Sequence, residues 1–267
     1  MISVIICSGY PDKLEVIKQK VAASIGVPFE IIATNNADEK IGIRRAYNRS
    51  ASAAQYDILC FMHDDLDLLT PEWGKKVLQH FEDQSLGMTG IAGSRYKSRT
   101  LSGWASNLKS ADCCYIRQLL PGGGTEQVAI RPAHLANENI IPVKVLEGVF
   151  MGMRKKVWQE FNFDEGGLNG FHFYDVDISL RIAQKYKIAV VYDIDMVHHS
   201  YGRFADEWVL EAIHFHKNVN KVPLPTAVEA PAEPDPEQLI ARSWMLRLRR
   251  EKVSLSAKMA WLNYTKA

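Results

Sequence analysis

The sequence predicts an α/β fold, with a mostly parallel central sheet flanked by helices and a C-terminal helical extension. Three observations carry this reading. Short β-branched runs alternate with stretches of helical periodicity through about the first ninety residues. One of those runs, Asp57-Ile58-Leu59-Cys60-Phe61-Met62, is nearly continuous in apolar residues, as a strand covered on both faces requires. A proline-rich stretch then separates the body from a basic, amphipathic end.

Taken in order, Ile2 to Cys7 reads as the first strand, stopped by the turn cluster Ser8-Gly9-Tyr10-Pro11. It has no basic n-region, so a strand is expected here and not a signal sequence. Asp12 is the expected N-cap of a helix with Leu14, Ile17, Val21 and Ala22 at helical spacing. Phe29 to Thr34 is the next strand, ending in Asn35-Asn36, and Ile43 to Ala54 is helical in pattern. After Ile58 to Met62, Pro71 is expected in the first turn of a helix, where its missing N–H costs nothing. Gly87 to Ala92 is a fourth strand.

Residues 93–145 show little periodicity and contain Arg95, Arg99, Trp104 and Gly122-Gly123-Gly124, so a binding loop or lid is expected there. Regularity returns from Val145 to Met153. Helices are then expected from Arg154, from Asp175 to Tyr186 and from Ala205 to Asn220, with a strand from Ile188 to Tyr192. The prolines between Pro223 and Pro236 mark a stiff linker. Beyond it, Met245, Leu248, Leu255, Met259 and Leu262 fall at 3/4 spacing on one expected helix. The expected division is a body over residues 1–221, a linker over 222–236 and a tail over 237–267.

Composition narrows the classes. The 267 residues, 47% hydrophobic, suffice for one large α/β domain with a small appendage. A formal net charge of +1 supplies no field for nucleic acid, which is excluded as a partner. The tail holds seven basic residues against two acidic, while the rest holds 25 against 29. A basic amphipathic helix of this kind packs on the body, pairs in a homodimer, or lies on an anionic membrane surface, with packing or pairing favoured. No apolar run approaches the roughly 20 residues of a membrane span. Cys7, Cys60, Cys113 and Cys114 read as reduced thiols, so a cytoplasmic setting is expected, extending to the inner face of a membrane if the tail binds lipid.

Polar residues mark the carboxyl ends of the strands, where ligands bind in parallel sheets. His63-Asp64-Asp65-Leu66-Asp67 directly follows the buried strand. Three carboxylates so close raise one another's pKa, and a cation relieves the repulsion; oxygen-rich sites suit Mg²⁺ or Mn²⁺. A solvated acidic turn is the alternative. Further on, Asp175 and Asp177 diverge by roughly 200° on a helix, so they cannot face one ligand. Asp177 and Arg181 have the spacing of an ion pair, which leaves Asp175 to face a crevice and take a proton. Gly167 to Tyr174 forms a glycine- and aromatic-rich approach to it. The third signal is Met196-Val197-His198-His199-Ser200-Tyr201-Gly202, a histidine pair in which one ring points each way if the chain is extended.

In this order and spacing the chain resembles the family 2 glycosyltransferases, in particular the branch named after a streptomycin-biosynthesis protein, over roughly residues 1–202. The matching stretches are Ile2-Ser3-Val4-Ile5-Ile6, Phe61-Met62-His63-Asp64-Asp65, Gly148 to Arg154-Lys155, Phe163-Asp164-Glu165, Tyr174-Asp175-Val176-Asp177-Ile178-Ser179-Leu180-Arg181 and the late His-His. The resemblance implies a GT-A fold and metal-dependent, inverting transfer from a nucleotide-diphosphate sugar to an acceptor hydroxyl, as in polysaccharide biosynthesis. It implies Asp65 as metal ligand, helped by Asp64 or Asp67 and by a late histidine, taken as His199. It implies Asp175 as general base. Ser8, Gly9, Tyr10, Asn35 and Asn36, with Asp64, would hold the nucleotide. The family's glutamate before the base is here Tyr174, and its P-T-Y is here Ser8-Gly9-Tyr10. The acceptor is left as a glycan, a lipid-linked species or a small molecule. Tyr174 keeps open a catalytically silent protein that binds nucleotide sugar or glycan. A nucleotidyltransferase would need a glycine-rich phosphate loop that Ser8-Gly9-Tyr10-Pro11 does not supply.

Overall fold

The computed structural model describes every residue except 121, 122, 168, 169, 201, 203 and 267. The chain begins β1 (Ile2–Ser8), α1 (Pro11–Ser24), β2 (Phe29–Asn35), α2 (Asn36–Glu39), α3 (Ile43–Ala53), β3 (Ile58–Met62), β4 (Leu66–Leu68) and α4 (Trp73–His80). It continues with β5 (Leu86–Gly90), β6 (Ala92–Ser94), β7 (Tyr96–Lys97), β8 (Asp112–Leu119), β9 (Thr125–Ile130), β10 (Ile140–Val143), β11 (Val145–Leu146) and β12 (Phe150–Arg154). α5 (Lys155–Phe161), α6 (Tyr174–Ile182), β13 (Lys187–Val191), β14 (Met196–His198), α7 (Asp206–His214), β15 (Thr226–Ala227), α8 (Pro236–Arg250) and α9 (Leu255–Lys266) complete it.

The central sheet has the order β10-β13-β5-β12-β3-β1-β2. Strands β1, β2, β3, β5 and β13 run parallel; β12 and β10 run against them. Strand alternation divides the core. Ile2, Val4 and Ile6 face a cluster with α1 and α4, while Ile5 faces the opposite cluster with α3, α5 and α6. On α3, Ile43, Ala46, Tyr47, Ser50 and Ala51 are buried at 3/4 spacing, which seats that helix on the sheet. β3 is buried at all five positions, as its apolar run predicted.

Two helix starts differ from expectation. The N-cap of α1 is Tyr10, without a side-chain cap bond, and Pro11 takes the first turn; Asp12 lies inside that turn, where its charge suits the helix dipole. α4 starts at Trp73, after Glu72 in the left-handed region (φ 55°), so Pro71 precedes the helix. Docking decides this start: the Gly74 N–H donates to the Ile25 carbonyl at 2.9 Å, and a Cβ on Gly74 would lie 2.6 Å from that oxygen.

The larger correction concerns residues 93–145, which are not a long loop or lid. They build much of a second sheet, of order β11-β6-β8-β14-β4, with β9 paired to β8. β8 holds only the short apolar run Cys113 to Ile116 before it turns polar and half-covered, and β9 is mostly exposed, so the strand signal of the pair is weak in the sequence. Gly122 of the glycine run lies outside the described residues. β14 pairs with β4 and β8, which brings the late histidines to the acidic motif.

The tail is also not one helix. α8 and α9 are separated at residues 251–254, where the Ser254 N–H donates to Asp206 Oδ1 at 2.7 Å. Ile240, Trp244, Leu248 and Trp261 are buried in a third core cluster with Val209, Ala212 and Phe215, whereas Leu255 and Met259 are exposed. The expected stripe therefore splits at the break. The expected stiff linker lies against the body: β15 pairs with β7, and Glu229 meets Arg95 at 2.7 Å. Among the described residues, no helix is long and apolar enough to cross a membrane.

Candidate active site

A cavity of about 780 Å³ opens beyond the carboxyl ends of β1 and β3. Gly9 and Tyr10 from the first loop, His63 to Asp65 from the third strand, Glu147, residues 171–176 and His198 all line it. The fold thus brings together three motifs that are far apart in the chain.

Two carboxyl groups hang from one turn, between β11 and β12. The Gly148 N–H donates to Asp175 Oδ2 at 3.0 Å, and the next amide, of Val149, donates to Glu147 Oε2 at 3.2 Å. The Val176 N–H adds a bond to Asp175 Oδ1 at 2.8 Å. Burial raises Asp175 to a pKa of about 6, opposed by these amides and by Arg44. Glu147 is pushed up to about 8, by burial first and then by the charge of Asp175. At neutral pH Asp175 is therefore largely a base and Glu147 largely protonated. Sequence reasoning missed Glu147, because nothing local shows that it meets Asp175. Asp177 turns away to pair with Arg181 at 2.8 Å, as its spacing predicted.

Tyr174 fills the place of the family's glutamate with a structural function. Its hydroxyl donates to the Gly148 carbonyl at 3.2 Å and lies 3.0 Å from His63 Nε2. One hydroxyl proton cannot serve both. With the carbonyl taking it, His63 Nε2 must carry the proton, leaving the Nδ1 lone pair for another partner. Gly148 has no room for a side chain, since a Cβ would lie 2.6 Å from Tyr174 Cζ.

Among the described residues, His63, Asp65 and His198 could hold a cation, since their ligand atoms lie within 4.8 Å of one another. Asp65 Oδ1 is buried with no hydrogen-bond partner, and His198 Nε2 stands 3.5 Å from it. Burial lowers the pKa of His63 to about 4 and that of His198 below its ordinary value, with Asp65 opposing both, so neutral imidazoles are available. One carboxylate and two neutral imidazoles are donors that a divalent metal ion can take. The expected set is Asp65, Asp67 and His199; the structure places Asp65 with His63 and His198 instead. His198 ends extended β14 and His199 follows it, so successive side chains point to opposite faces, His198 buried and His199 exposed. His199 pairs with Asp67 at 2.7 Å, and Lys20 takes the same carboxylate at 2.5 Å. The signal for His63 was its place beside the aspartates; the choice between the two later histidines needed the strand register.

On the other side of the cavity, the Ser8 hydroxyl bonds to Asp64 Oδ2 and accepts the Tyr10 N–H at 2.9 Å. Asp64 is raised above the ordinary carboxylate range, mainly by burial. Gly9 has open space around it and Tyr10 is exposed, so both are available to a ligand. Asn35 and Asn36 are not among the cavity's lining residues. Asn35 caps α2 through the Ala37 N–H, and Asn36 bonds both the N–H and the carbonyl of Ile41. They close the loop after an edge strand, which sets them to the side.

The model of a glycosyltransferase-like family matches residues 4–221. No curated protein matches the chain. Among solved structures, GalNAc-T7 with UDP, GalNAc and Mn²⁺ aligns with a TM-score of 0.53 at 12% identity, over 75% of this chain and 44% of that one. The chain thus spans less than half of that relative. The mannosyltransferase PcManGT from Pyrobaculum calidifontis, in complex with GDP-Man and Mn²⁺, aligns with a TM-score of 0.51 at 12% identity, over 99% of this chain and 79% of that one. These likenesses are of fold.

Proposed function

The chain belongs to the glycosyltransferase-like family and has the GT-A fold, and from that premise we propose that it is a metal-dependent, inverting sugar transferase using a nucleotide-diphosphate sugar. One observation supports this above the others: the His63–Asp65–His198 cluster and the Asp175 carboxylate open into one cavity at the carboxyl ends of the parallel strands. The Mn²⁺ and nucleotides in the two similar structures agree with it.

In this reading, His63, Asp65 and His198 hold the cation, which supplies Lewis-acid charge to a departing diphosphate. Gly9 and Tyr10 receive the nucleoside, and Ser8 and Asp64 fix the loop that carries them. Asp175 takes the proton of the acceptor hydroxyl. The acceptor oxygen forms its bond to the anomeric carbon as the bond to the diphosphate breaks, and the configuration inverts. In the ion-free protein Glu147 keeps its proton at neutral pH and so adds no second negative charge beside Asp175.

A thermal-shift panel of nucleoside diphosphates, with and without Mn²⁺, tests the reading. One base is expected to stabilise the protein, by about 2.7 kcal/mol at a hundredfold excess over Kd, and only with the ion present. Asp65→Ala should lose this response and Asp67→Ala should keep it. Equal binding by both variants would reject the metal assignment. Binding without donor turnover would leave the silent binding protein as the better account.

A further inference from the structure

We infer that the aromatic side of the cavity is an acceptor subsite for the pyranose ring of an uncharged saccharide, built in part by the C-terminal tail. The inference rests on the transferase reading above and names its acceptor class. Phe171 is 53% exposed, unusual for a phenylalanine beside a buried polar cluster. Its ring lies 5.7 Å from His63 and 6.1 Å from Tyr174. Trp104, half-buried, lines the same cavity.

The tail holds Trp104 in place. Trp244 of α8 stacks on Trp208 of α7, with ring centroids 5.1 Å apart and planes 6° from parallel. The Trp244 indole N–H donates to the carbonyl of Ala105, the residue after Trp104, at 3.3 Å. On the other side of Trp104, a Cβ on Gly103 would come 3.4 Å from Trp208 and 3.6 Å from Trp244, so the segment lies directly on the indole pair. Trp208 and Trp244 stack on each other, and Phe171 and Trp104 line the same cavity beside them.

Open aromatic faces take the apolar C–H face of a pyranose, whose hydroxyls then project sideways to polar groups. A ring seated on Phe171 lies beside Tyr174 and Asp175, the carboxylate that would take the hydroxyl proton. The rim specifies charge. Arg247 and Glu207 both line the cavity, together with the carboxyl groups of Asp64, Asp65, Glu147 and Asp175. The Arg247 guanidinium lies over the Phe204 ring at 4.7 Å, and its Nε is 3.5 Å from Glu251. Among the described residues, such a lining hydrogen-bonds hydroxyls and supplies no surplus positive charge for a phosphate or carboxylate.

The test is intrinsic tryptophan fluorescence of the full chain with Mn²⁺, titrated with methyl glucoside, galactoside and mannoside in both anomers, with lactose and maltose, and with methyl glucuronide as the charged control. A saturable change is expected with at least one uncharged sugar and not with the glucuronide. Phe171→Ala and Trp104→Ala should weaken it by about tenfold or more, and Trp104→Phe should restore affinity. Calorimetric titration reads the Trp104 variants, whose emission differs. Phe171 is exposed, so its variant keeps the question open to an answer if Trp104→Ala fails to fold. No response to any uncharged sugar, stronger binding of the glucuronide, or undiminished affinity in Phe171→Ala would overturn the inference. Nucleoside diphosphate binding, followed in the same samples, separates the outcomes: sugar failure with intact diphosphate binding sinks this subsite alone, whereas loss of both sinks the transferase reading.

Discussion

Asp175 and Glu147 hang from consecutive amides, yet they titrate differently, because Asp175 receives two backbone N–H bonds while Glu147 receives one and faces the charge of Asp175. For a base near pKa 6, transfer should rise with pH through about 6 and then level off. Asp175→Asn should flatten that limb, cut transfer by roughly 10²–10⁴-fold and leave diphosphate binding unchanged. An unaltered pH–rate profile in the variant would move the base elsewhere. Glu147 makes a separate prediction about stability. Its folded pKa, about 8, lies above the ordinary 4.5, so the folded state holds the proton more tightly than the unfolded one. The stabilisation is complete below about 4.5 and is lost as pH rises through about 8. In chelator-treated protein, urea unfolding at about pH 5 and about pH 8 should show a smaller loss of stability in Glu147→Gln than in the parent. Equal losses would mean that burial does not hold this proton.

The turn between β11 and β12 fixes the geometry of the site. Its Gly148 amide holds Asp175, its carbonyl takes the Tyr174 hydroxyl, and its Cα is packed against the same tyrosine. Gly148→Ala must therefore displace a buried ring, costing about 1–3 kcal/mol as overpacking usually does. Transfer should also fall, since the Gly148 amide holds Asp175 and the Tyr174 hydroxyl meets His63. A variant with parental melting temperature and turnover would show that the turn yields easily. The β8–β9 pair illustrates the converse at this scale. Beyond the apolar Cys113 to Ile116 its strands are held by ladder partners, so Gln118 and Glu126 sit opposite each other in a strand pair that local pattern left as loop.

Across the whole molecule, the tail belongs to the same core as the body. Burying Ile240, Trp244, Leu248 and Trp261 contributes roughly 1.5–3 kcal/mol each, comparable in sum with the 5–15 kcal/mol that holds a typical domain together. Scanning calorimetry should show one cooperative transition, and removal of residues 237–267 should abolish it or strip the protein of solubility. A truncated chain that melts as sharply as the parent would make the tail an independent arm. The sequence by itself determined what depends on near neighbours: the buried strand before the acidic motif, the helix face that seats α3, and the divergence of Asp175 from Asp177 with Arg181 as the latter's partner. These follow from periods of two and 3.6 residues. Only the tertiary structure decided that His198 and not His199 meets Asp65, that Glu147 shares a turn with Asp175, that Asn35 and Asn36 stand aside, and that the tail folds back to hold Trp104. Each of these rests on strand register or docking between distant segments, where a shift of one residue turns a side chain to the opposite face.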